Sequence, residues 1–457
     1  MKDLTQGAVT RHIVSMAVPI GVGAVFQSLY YLIDLYFVGC LGSDALAGVS
    51  AAGNLSLLVM ALTQVLGAGT LALMAQAAGR KNEDQARGIF NQALVLSICS
   101  GLVLLLLGYA LTGVYLRSTS ATLVVAEQGQ RYLYWFLPGM AFQFVLTAMA
   151  SALRGIGVVK PTMMVQLMTV VLNIVLAPVL IVGWGTGYAM GVAGAGLASS
   201  IALAVAAPAM AWHFHQLGHY VQVRRELLRP RWADWRRLLT IGLPAGGEYT
   251  LLFLYSAATY WAIRDFGPAA QAGFGAAARL MQVLLLPALA LSFATGPMVG
   301  QNLGAGMAER VRRTFGAAIW LISSIMLLAC LLLLWEGETL LGRFATGGEV
   351  IEQGTHYLHI ACWSFIAQGV IFTCSSVFQG LGNTRPALVS SVVRLLCFVL
   401  PVAWLSARGH FPIIAVWYLS LASIFLQALL SLWLVRQEFR LKLAPVAGLP
   451  SMQAIRR

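Results

Sequence analysis

Two acidic residues lie inside the long apolar segments of this 457-residue chain, Asp34 in QSLYYLIDLYFVG and Glu248 in GLPAGGEYT. The other acids lie in predicted loops or at helix ends. A charge at the centre of a bilayer costs from about 3 to more than 10 kcal/mol, so acids inside membrane segments are candidates for ion coupling. Because an apolar surrounding opposes the charged form of a carboxyl, we expect Asp34 to bind a proton.

The neighbours of the two acids leave alternatives open. Tyr30 and Gln27 stand four and seven positions before Asp34, so the three side chains share one helix face, and we predict that Tyr30 takes part in coupling with Asp34. Asp34 could instead be a structural acid, wetted at a helix end or paired with one partner. Glu248 follows Pro244 by four positions, near the inner end of its segment. It could act as a secondary coupling acid, attract cations, or merely face a cavity entrance or pair with an arginine.

The composition requires that these residues be positioned by membrane helices. The chain is 59% hydrophobic and 10% charged, with a mean hydropathy of +0.80. Soluble domains carry about 25% charged residues. Twelve apolar segments, each long enough to cross a bilayer, predict an all-α polytopic membrane protein with twelve transmembrane helices. The six cysteines have no metal-type spacing, and we predict neither a metal site nor an organic cofactor.

The net charge of +13 follows the predicted membrane topology. With a cytoplasmic N-terminus, most of the 29 lysines and arginines fall on the cytoplasmic side, as expected for a multi-pass protein of the cell (inner) membrane with both termini inside. This placement also suits contact with anionic lipid. Because no basic domain stands outside this pattern, the sequence argues against nucleic-acid binding.

Four motifs recur at a fixed offset of 225 positions, which indicates a duplicated six-helix unit. The recurring residues are Pro19 and Pro244, Gly42 and Gly267, Gln76 and Gln301, and Gly155 and Gly380. Six spans per unit predict lobes related by a pseudo-twofold axis along the membrane normal, with a substrate cleft between them. We divide the chain into an N-lobe (1–213), a cytoplasmic linker (214–240), a C-lobe (241–436) and a cytoplasmic tail (437–457).

Two further features bear on transport. Pro19 and Pro244 fall early in the first helix of each lobe, where each could fix a kink or let the helix bend when Asp34 changes protonation. Methionine and aromatic side chains of the N-lobe could form an apolar substrate pocket or simply pack. The candidates for the substrate cavity are Gln27, Tyr31, Met140, Phe144 and Met168.

The motifs DLYFVGCLGSDALAG, VGQNLGAG, LRGIGVVKP, FQGLGNTRP and GLPAG resemble the multidrug and toxic compound extrusion (MATE) family. The resemblance implies two six-helix lobes facing a central cavity, and export of organic compounds driven by inward flow of H⁺ or Na⁺. It also implies a coupling aspartate at Asp34 and, from helices 5 and 6, contributions by Asn173 and Ser199. Many relatives carry an acid where this chain has Ala177, and the loss favours H⁺ over Na⁺.

The resemblance also bears on the branch of the family. The NorM-like branch has a carboxylate pair in the C-lobe, whereas this chain has Leu252 and Gln368 at those positions. It is therefore more similar to the DinF-like branch, whose coupling acid lies in the N-lobe.

We therefore expect a monomeric secondary exporter that exchanges amphiphilic or cationic organic compounds for H⁺ by alternating access. The alternatives are a Na⁺-coupled antiporter and a flippase for lipid-linked precursors. A flippase cavity should hold several cations, but Arg394 stands nearly alone in the spans. Arg394 could neutralise an acid in the cleft, but we expect it to snorkel to the interface. An enzyme would need chemical groups within reach of one another, and a channel would need a filter; the sequence shows neither pattern.

Overall fold

The computed structural model describes residues 3–119, 122–185, 187–216, 219–343, 347–408 and 411–443, without the side chains of residues 31, 119, 215, 216 and 219. The described residues form thirteen α-helices and no strand, and twelve of the helices are long and apolar enough to cross a membrane. The predicted fold class is confirmed.

Six helices form the N-lobe: α1 (Val9–Gly39), α2 (Ser43–Gly79), α3 (Glu83–Thr119), α4 (Leu123–Gly155), α5 (Lys160–Ile181) and α6 (Val192–Gln216). Seven form the C-lobe: α7 (Trp232–Ala262), α8 (Pro268–Gly304), α9 (Ala308–Gly342), α10 (Gly348–Ala361), α11 (Ser364–Leu381), α12 (Arg385–Ala407) and α13 (Ile413–Lys442).

The helix bounds differ from the sequence prediction at three places. The tenth predicted span is two helices, because the polar α10 meets α11 in a tight turn where Phe365 N donates to Cys362 O at 3.0 Å. α7 begins at Trp232, inside the predicted linker, since the amphipathic WADWRRLL runs into the apolar part of the helix without a break. α13 extends to Lys442, into the predicted tail, of which residues 444–457 lie outside the described part of the chain.

The packing repeats between the lobes as the sequence does. α1 packs against α5 of its own lobe and against α8 of the other. α7, the counterpart of α1, packs against α12 and α2, the counterparts of α5 and α8. The first helix of each lobe therefore packs against a helix of the other lobe, as expected when a two-fold axis relates the lobes.

The lobes meet at what we call the basic end, where α2 and α8 finish and α3 and α9 begin. There Gln76 Nε2 donates to Gly380 O at 3.1 Å, and Gln301 Nε2 donates to Gly155 O at 2.9 Å. These two bonds exchange under the 225-residue offset. A Cβ at Gly79 would collide with the Gln301 carbonyl, and one at Gly304 with the Gln76 carbonyl, so both glycines are required by the approach of the backbones.

The N-terminal segment lies against the C-lobe at the basic end. Leu4 N donates to Gln301 Oε1 at 3.1 Å, and the Arg310 guanidinium donates to the carbonyls of Leu4, Gln6 and Gly7. Hydrogen bonds from the Thr5 side chain and backbone lower the pKa of the Asp3 carboxyl. Gln301 thus holds both an N-lobe carbonyl and the N-terminal segment.

The inter-lobe segment is fastened to α3 by two neighbouring amides. Asn91 Nδ2 donates to Gln222 O at 2.8 Å, and Asn91 Oδ1 accepts from the backbone of Arg224 at 3.0 Å. Gln92 Nε2 donates to the carbonyls of Leu227 and Arg229, and its Oε1 accepts from Arg231 N at 2.9 Å. Both amide side chains are buried, and together they satisfy backbone groups that a free loop would leave to water.

Candidate functional site

Three of the four predicted coupling residues meet at one hydroxyl in the N-lobe. Tyr30 Oη of α1 donates to Ser199 Oγ of α6 at 2.6 Å, and Asn173 Nδ2 of α5 donates to the same oxygen at 3.4 Å. All three residues are buried. We call Tyr30, Asn173, Ser199 and Asp34 the N-lobe cluster.

Asp34 is buried one helical turn beyond Tyr30, with 7% of its surface exposed. Its Oδ1 and the Oδ1 of Asn173 are buried acceptors without a hydrogen-bond partner among the described residues. A buried polar atom left without a partner costs about 1–3 kcal/mol. A protonated carboxyl carries a donor in addition to its acceptors, so uptake of a proton changes what Asp34 can bond to. The cluster is thus able to hold a proton or a small cation.

Ala177 occupies the helix 5 position at which the family resemblance implies a second acid. It is fully buried in the N-lobe core. The described part of the cluster therefore holds one carboxylate together with amide and hydroxyl oxygens. Hard cations prefer several oxygen ligands, which this set supplies less well than a pair of acids.

The predicted substrate residues of the N-lobe fall in different surroundings. Gln27 Oε1 accepts from Gln166 Nε2 at 2.9 Å, a bond that ties α1 to α5. Met140 and Phe144 are buried in the N-lobe core, while Met168 lines an open apolar recess with Val171. The side chain of Tyr31 lies outside the described residues. Contact of these side chains with a substrate stays a prediction.

A second cavity, of about 580 Å³, is lined mainly by the C-lobe, which the sequence did not single out as a substrate surface. It is lined by α7, α8 and α10–α13, with Met60 and Gln64 of α2 closing one side. Its size is in the range of sites for small organic molecules. The available sequence signal was a set of isolated polar residues, one or two per helix, namely Gln282, Gln368, Ser375, Arg394 and Gln427.

Glu248 lies in this cavity rather than near a helix end. It is close to the middle of the 31-residue α7, because that helix begins well before the apolar segment. Its Oε1 accepts from Ser375 Oγ at 2.5 Å, and none of the ion pairs among the described residues includes it. The alternative of an arginine partner is therefore wrong for the described residues, while a place at the cavity entrance and a role in coupling stay predictions.

Arg394 does not snorkel to the interface. It stands near the middle of α12, where its Nη1 donates to Gln427 Oε1 at 3.3 Å and its guanidinium lies 3.9 Å from the Tyr255 ring centroid. Gln427 in turn donates to Ser391 Oγ at 3.0 Å. The expectation failed because the partner on α13 is 33 positions away in sequence, and this contact holds the guanidinium at the cavity.

The two prolines lie inside continuous helices. α1 runs through the buried Pro19, and α7 runs through the half-buried Pro244. Each proline removes one backbone hydrogen bond from its helix. α1 and α7 are therefore less stiff at these prolines, and whether either helix bends during transport stays a prediction.

The MatE family model matches the chain twice, over residues 19–179 and 244–405. The two matches begin 225 positions apart, the offset of the internal repeat. The chain is 27% identical over 405 residues to the probable multidrug resistance protein YoeA of Bacillus subtilis, covering 88% of each chain. It is 25% identical over 417 residues to a FAD transporter of Shewanella oneidensis, covering 89% of this chain and 91% of that protein.

A solved structure gives the same fold. A multidrug resistance MATE family transporter in an outward-facing conformation superposes with a TM-score of 0.89 at 22% identity, covering 96% of this chain and 98% of the other.

Proposed function

Because the chain belongs to the MatE family of membrane transporters, we propose that it is a secondary exporter of amphiphilic organic compounds, exchanged for H⁺ by alternating access. The observation that carries the proton coupling is the buried Asp34 beside the Tyr30–Ser199–Asn173 bonds, with two acceptor oxygens left without partners among the described residues. The chain acts as a monomer in the cell (inner) membrane and requires no cofactor.

Asp34 is the proton carrier in this proposal. Protonation gives the carboxyl a donor, and loss of the proton restores a charge that the buried site solvates poorly. Tyr30 and Asn173, held at Ser199, position α1 against α5 and α6 around that carboxyl. A change in protonation therefore alters the balance of contacts that holds α1 in place.

The proposed conformational change uses the prolines and the basic end. We place the basic end on the cytoplasmic side by its charge, which makes both termini cytoplasmic. Bending of α1 at Pro19 would transmit the protonation of Asp34 along the helix, and separation of the two Gln–Gly hydrogen bonds would open the cytoplasmic side. Pro244 gives α7 the same freedom, and Glu248 is a secondary acid that can take part in coupling.

H⁺ is favoured over Na⁺ by the single carboxylate of the N-lobe cluster. Ala177 supplies no oxygen, so a sodium ion would lack one of the donors that hard cations prefer. A Na⁺-coupled antiporter is therefore the alternative. Because Leu252 and Gln368 stand where the NorM-like branch has a carboxylate pair, we propose that the chain belongs to the DinF-like branch.

The similarity to known proteins leaves the exported compound open, since the relatives include a probable multidrug resistance protein and a FAD transporter. We propose multidrug export of amphiphilic or cationic compounds. A flippase for lipid-linked precursors is less well supported, because Arg394 is the one arginine or lysine among the residues that line the described cavity.

Transport in proteoliposomes tests the proposal. A pH gradient and a Na⁺ gradient are imposed separately, and export of a fluorescent amphiphilic dye is followed for the wild type, Asp34→Asn and Asp44→Asn. Asp44 is an exposed acid at the start of α2 and is the matched control. We expect ΔpH-driven export by the wild type and Asp44→Asn, and background rates for Asp34→Asn. Saturable stimulation of the wild type by Na⁺ would refute proton coupling.

A further inference from the structure

The C-lobe cavity holds a cation that the proton mechanism does not use. We propose that this cavity binds planar aromatic compounds bearing an acidic group, and that the Arg394 guanidinium holds the acid. The inference rests on the proposed function in that such a ligand would be a transported compound.

Arg394 has donors to spare. A guanidinium carries five N–H donors in a planar fork that matches a carboxylate, phosphate or sulfonate. Among the described residues one acceptor, Gln427 Oε1, is bonded to it, while its Nε is buried without a partner. It enters none of the ion pairs of the described chain. Arg394 is half-buried, and a cation without a counter-charge inside a membrane segment is costly, so a bound anion lowers that cost.

The guanidinium is fixed in orientation before a ligand arrives. Tyr255 covers one face of it, and Tyr255 Oη is itself 2.7 Å from Ser420 Oγ. Gln427 is anchored by its bond to Ser391. Because both contacts are anchored to α12 or α13, the remaining donors point in a defined direction, as bidentate recognition of an acid requires.

An aromatic cluster lies in the same cavity, towards the end opposite the basic end. Phe274 and Trp417 stand in the first two turns of α8 and α13, which begin at that end, and their rings stack at 5.7 Å with an interplanar angle of 12°. Tyr357 packs edge-on to both rings. Phe274 and Trp417 are buried and Tyr357 is half-buried, so the three rings form a closely packed aromatic wall against which a planar ring can lie. Together, Arg394 and this cluster select a flat compound with an acid on its deeper side.

Glu248 does not oppose the acid at contact distance. It precedes Tyr255 by seven residues on α7, which places it about 10 Å deeper along the helix axis. Its carboxyl is bonded to Ser375 of α11. No ion pair among the described residues joins Glu248 to Arg394, so the guanidinium is not neutralised by this carboxyl and can take an acidic group.

Two anthracene compounds, one with a carboxylate and one with a neutral alcohol, provide the test. Binding of anthracene-9-carboxylate and of the neutral 9-anthracenemethanol is measured on the full chain in lipid nanodiscs by calorimetry. We expect the wild type to bind the carboxylate at least tenfold more tightly than the alcohol. Arg394→Gln should lose this preference, and Arg394→Lys should retain only part of it, because an ammonium lacks the planar fork.

The matched control is Arg408→Gln. Arg408 is an exposed arginine that follows α12 and lies 3.7 Å from the Trp404 ring centroid, so the same charge and the same kind of contact are removed away from the cavity. It should keep the full preference for the carboxylate. Equal affinity of the wild type for the two compounds, or a preference that survives in Arg394→Gln, overturns the proposal. If Arg394→Gln does not fold, the ratio of the wild-type affinities for the carboxylate and the alcohol still tests the proposal.

The outcome is separable from that of proton coupling. Asp34→Asn should bind the carboxylate as the wild type does, since the two sites share no residue. A wild type that exports dye under ΔpH but shows no acid preference refutes this inference alone. A wild type that prefers the acid but moves no compound under ΔpH refutes the proposed function alone.

Discussion

Tyr30 and Tyr255 are the same residue of the two repeats, 225 positions apart, and their surroundings show how a duplicated fold acquires two chemistries. Each tyrosine hydroxyl is bonded to a serine in the last helix of its lobe, Ser199 at 2.6 Å and Ser420 at 2.7 Å. One turn later the N-lobe has Asp34, whereas the C-lobe has Thr259, whose hydroxyl donates to the Tyr255 carbonyl at 2.9 Å. The tyrosine and serine pair is common to both lobes, and the charge beside it is not.

The cation of the C-lobe is likewise confined to one repeat. The position 225 residues before Arg394 is Thr169, whose hydroxyl donates to Val165 O at 2.8 Å. Asp34 is thus confined to one lobe and Arg394 to the other. By contrast, the basic end, with its paired Gln–Gly hydrogen bonds, is alike in both lobes. The contact between the lobes is shared by the two repeats, whereas these two charged residues are not.

The largest effect should come from replacing Asp34, because this makes the N-lobe match the C-lobe at the position one turn after the shared tyrosine. Asp34→Thr gives the N-lobe the residue type of the C-lobe, and we expect it to reduce ΔpH-driven export to background because no titrating group remains in the N-lobe cluster. Thr259→Val removes a hydroxyl that is bonded within its own helix, and should retain most of the wild-type rate. Export in proteoliposomes measures both, and equal rates for the two variants would contradict the division between lobes.

The shared basic end predicts equal losses from its two glycines. Gly79→Val and Gly304→Val should each reduce export by about tenfold or more, since extra atoms in a packed contact cost about 1–3 kcal/mol and 1.4 kcal/mol is a factor of ten. Gly88→Val is the control, because a Cβ at Gly88 meets no atom within 4 Å. A loss confined to one lobe's glycine would show that the two contacts are not equivalent in transport.

A smaller change is expected when an acid is added to the N-lobe. Ala177→Asp should raise Na⁺ affinity through a second carboxylate, and should couple two protonation steps. Na⁺-dependent quenching of tryptophan fluorescence at fixed pH measures this against the wild type. An unchanged Na⁺ response in the variant would mean that position 177 and Asp34 do not converge on one ion.

The smallest effect distinguishes the two glutamines of the basic end. Gln76→Ala removes one hydrogen bond and should cost about 1 kcal/mol of stability, whereas Gln301→Ala also leaves Leu4 N without its acceptor and should cost about 1–3 kcal/mol. Thermal unfolding of the detergent-solubilised variants gives the order. Removal of residues 1–7 should make the losses of stability of the two variants equal. A difference that persists after this removal would mean that the Leu4 contact does not cause it.

Much of the fold could be predicted because its signals are local or repeated. Apolar segments of about 20 residues predicted the twelve spans, and the fixed offset predicted the two lobes. Tyr30 was placed beside Asp34 by its spacing on one helix, whereas Asn173 and Ser199 were expected from the family resemblance, since no spacing in the sequence relates residues on three helices. The structure brings those three together through one hydroxyl.

The C-lobe cavity was missed because its polar residues are scattered over several helices, with no motif in any one of them. Arg394 reads as an isolated charge in an apolar segment until Gln427 and Tyr255 are placed beside it. The position of Glu248 was wrong because the amphipathic start of α7 was assigned to the linker, which shifted the apparent end of the helix. In both cases tertiary contacts, rather than local pattern, decide the role of the residue.

The attachment of the inter-lobe segment to α3 determines where the two lobes can pivot. Asn91 and Gln92 hold its backbone from Gln222 to Arg231, and α7 begins at the next residue, Trp232. The segment is therefore an extension of the N-lobe, and the start of α7 also packs on α2, where Leu238 meets Gly69. In the alternating access that we propose, the lobes would then pivot farther along α7 and not in the segment between them.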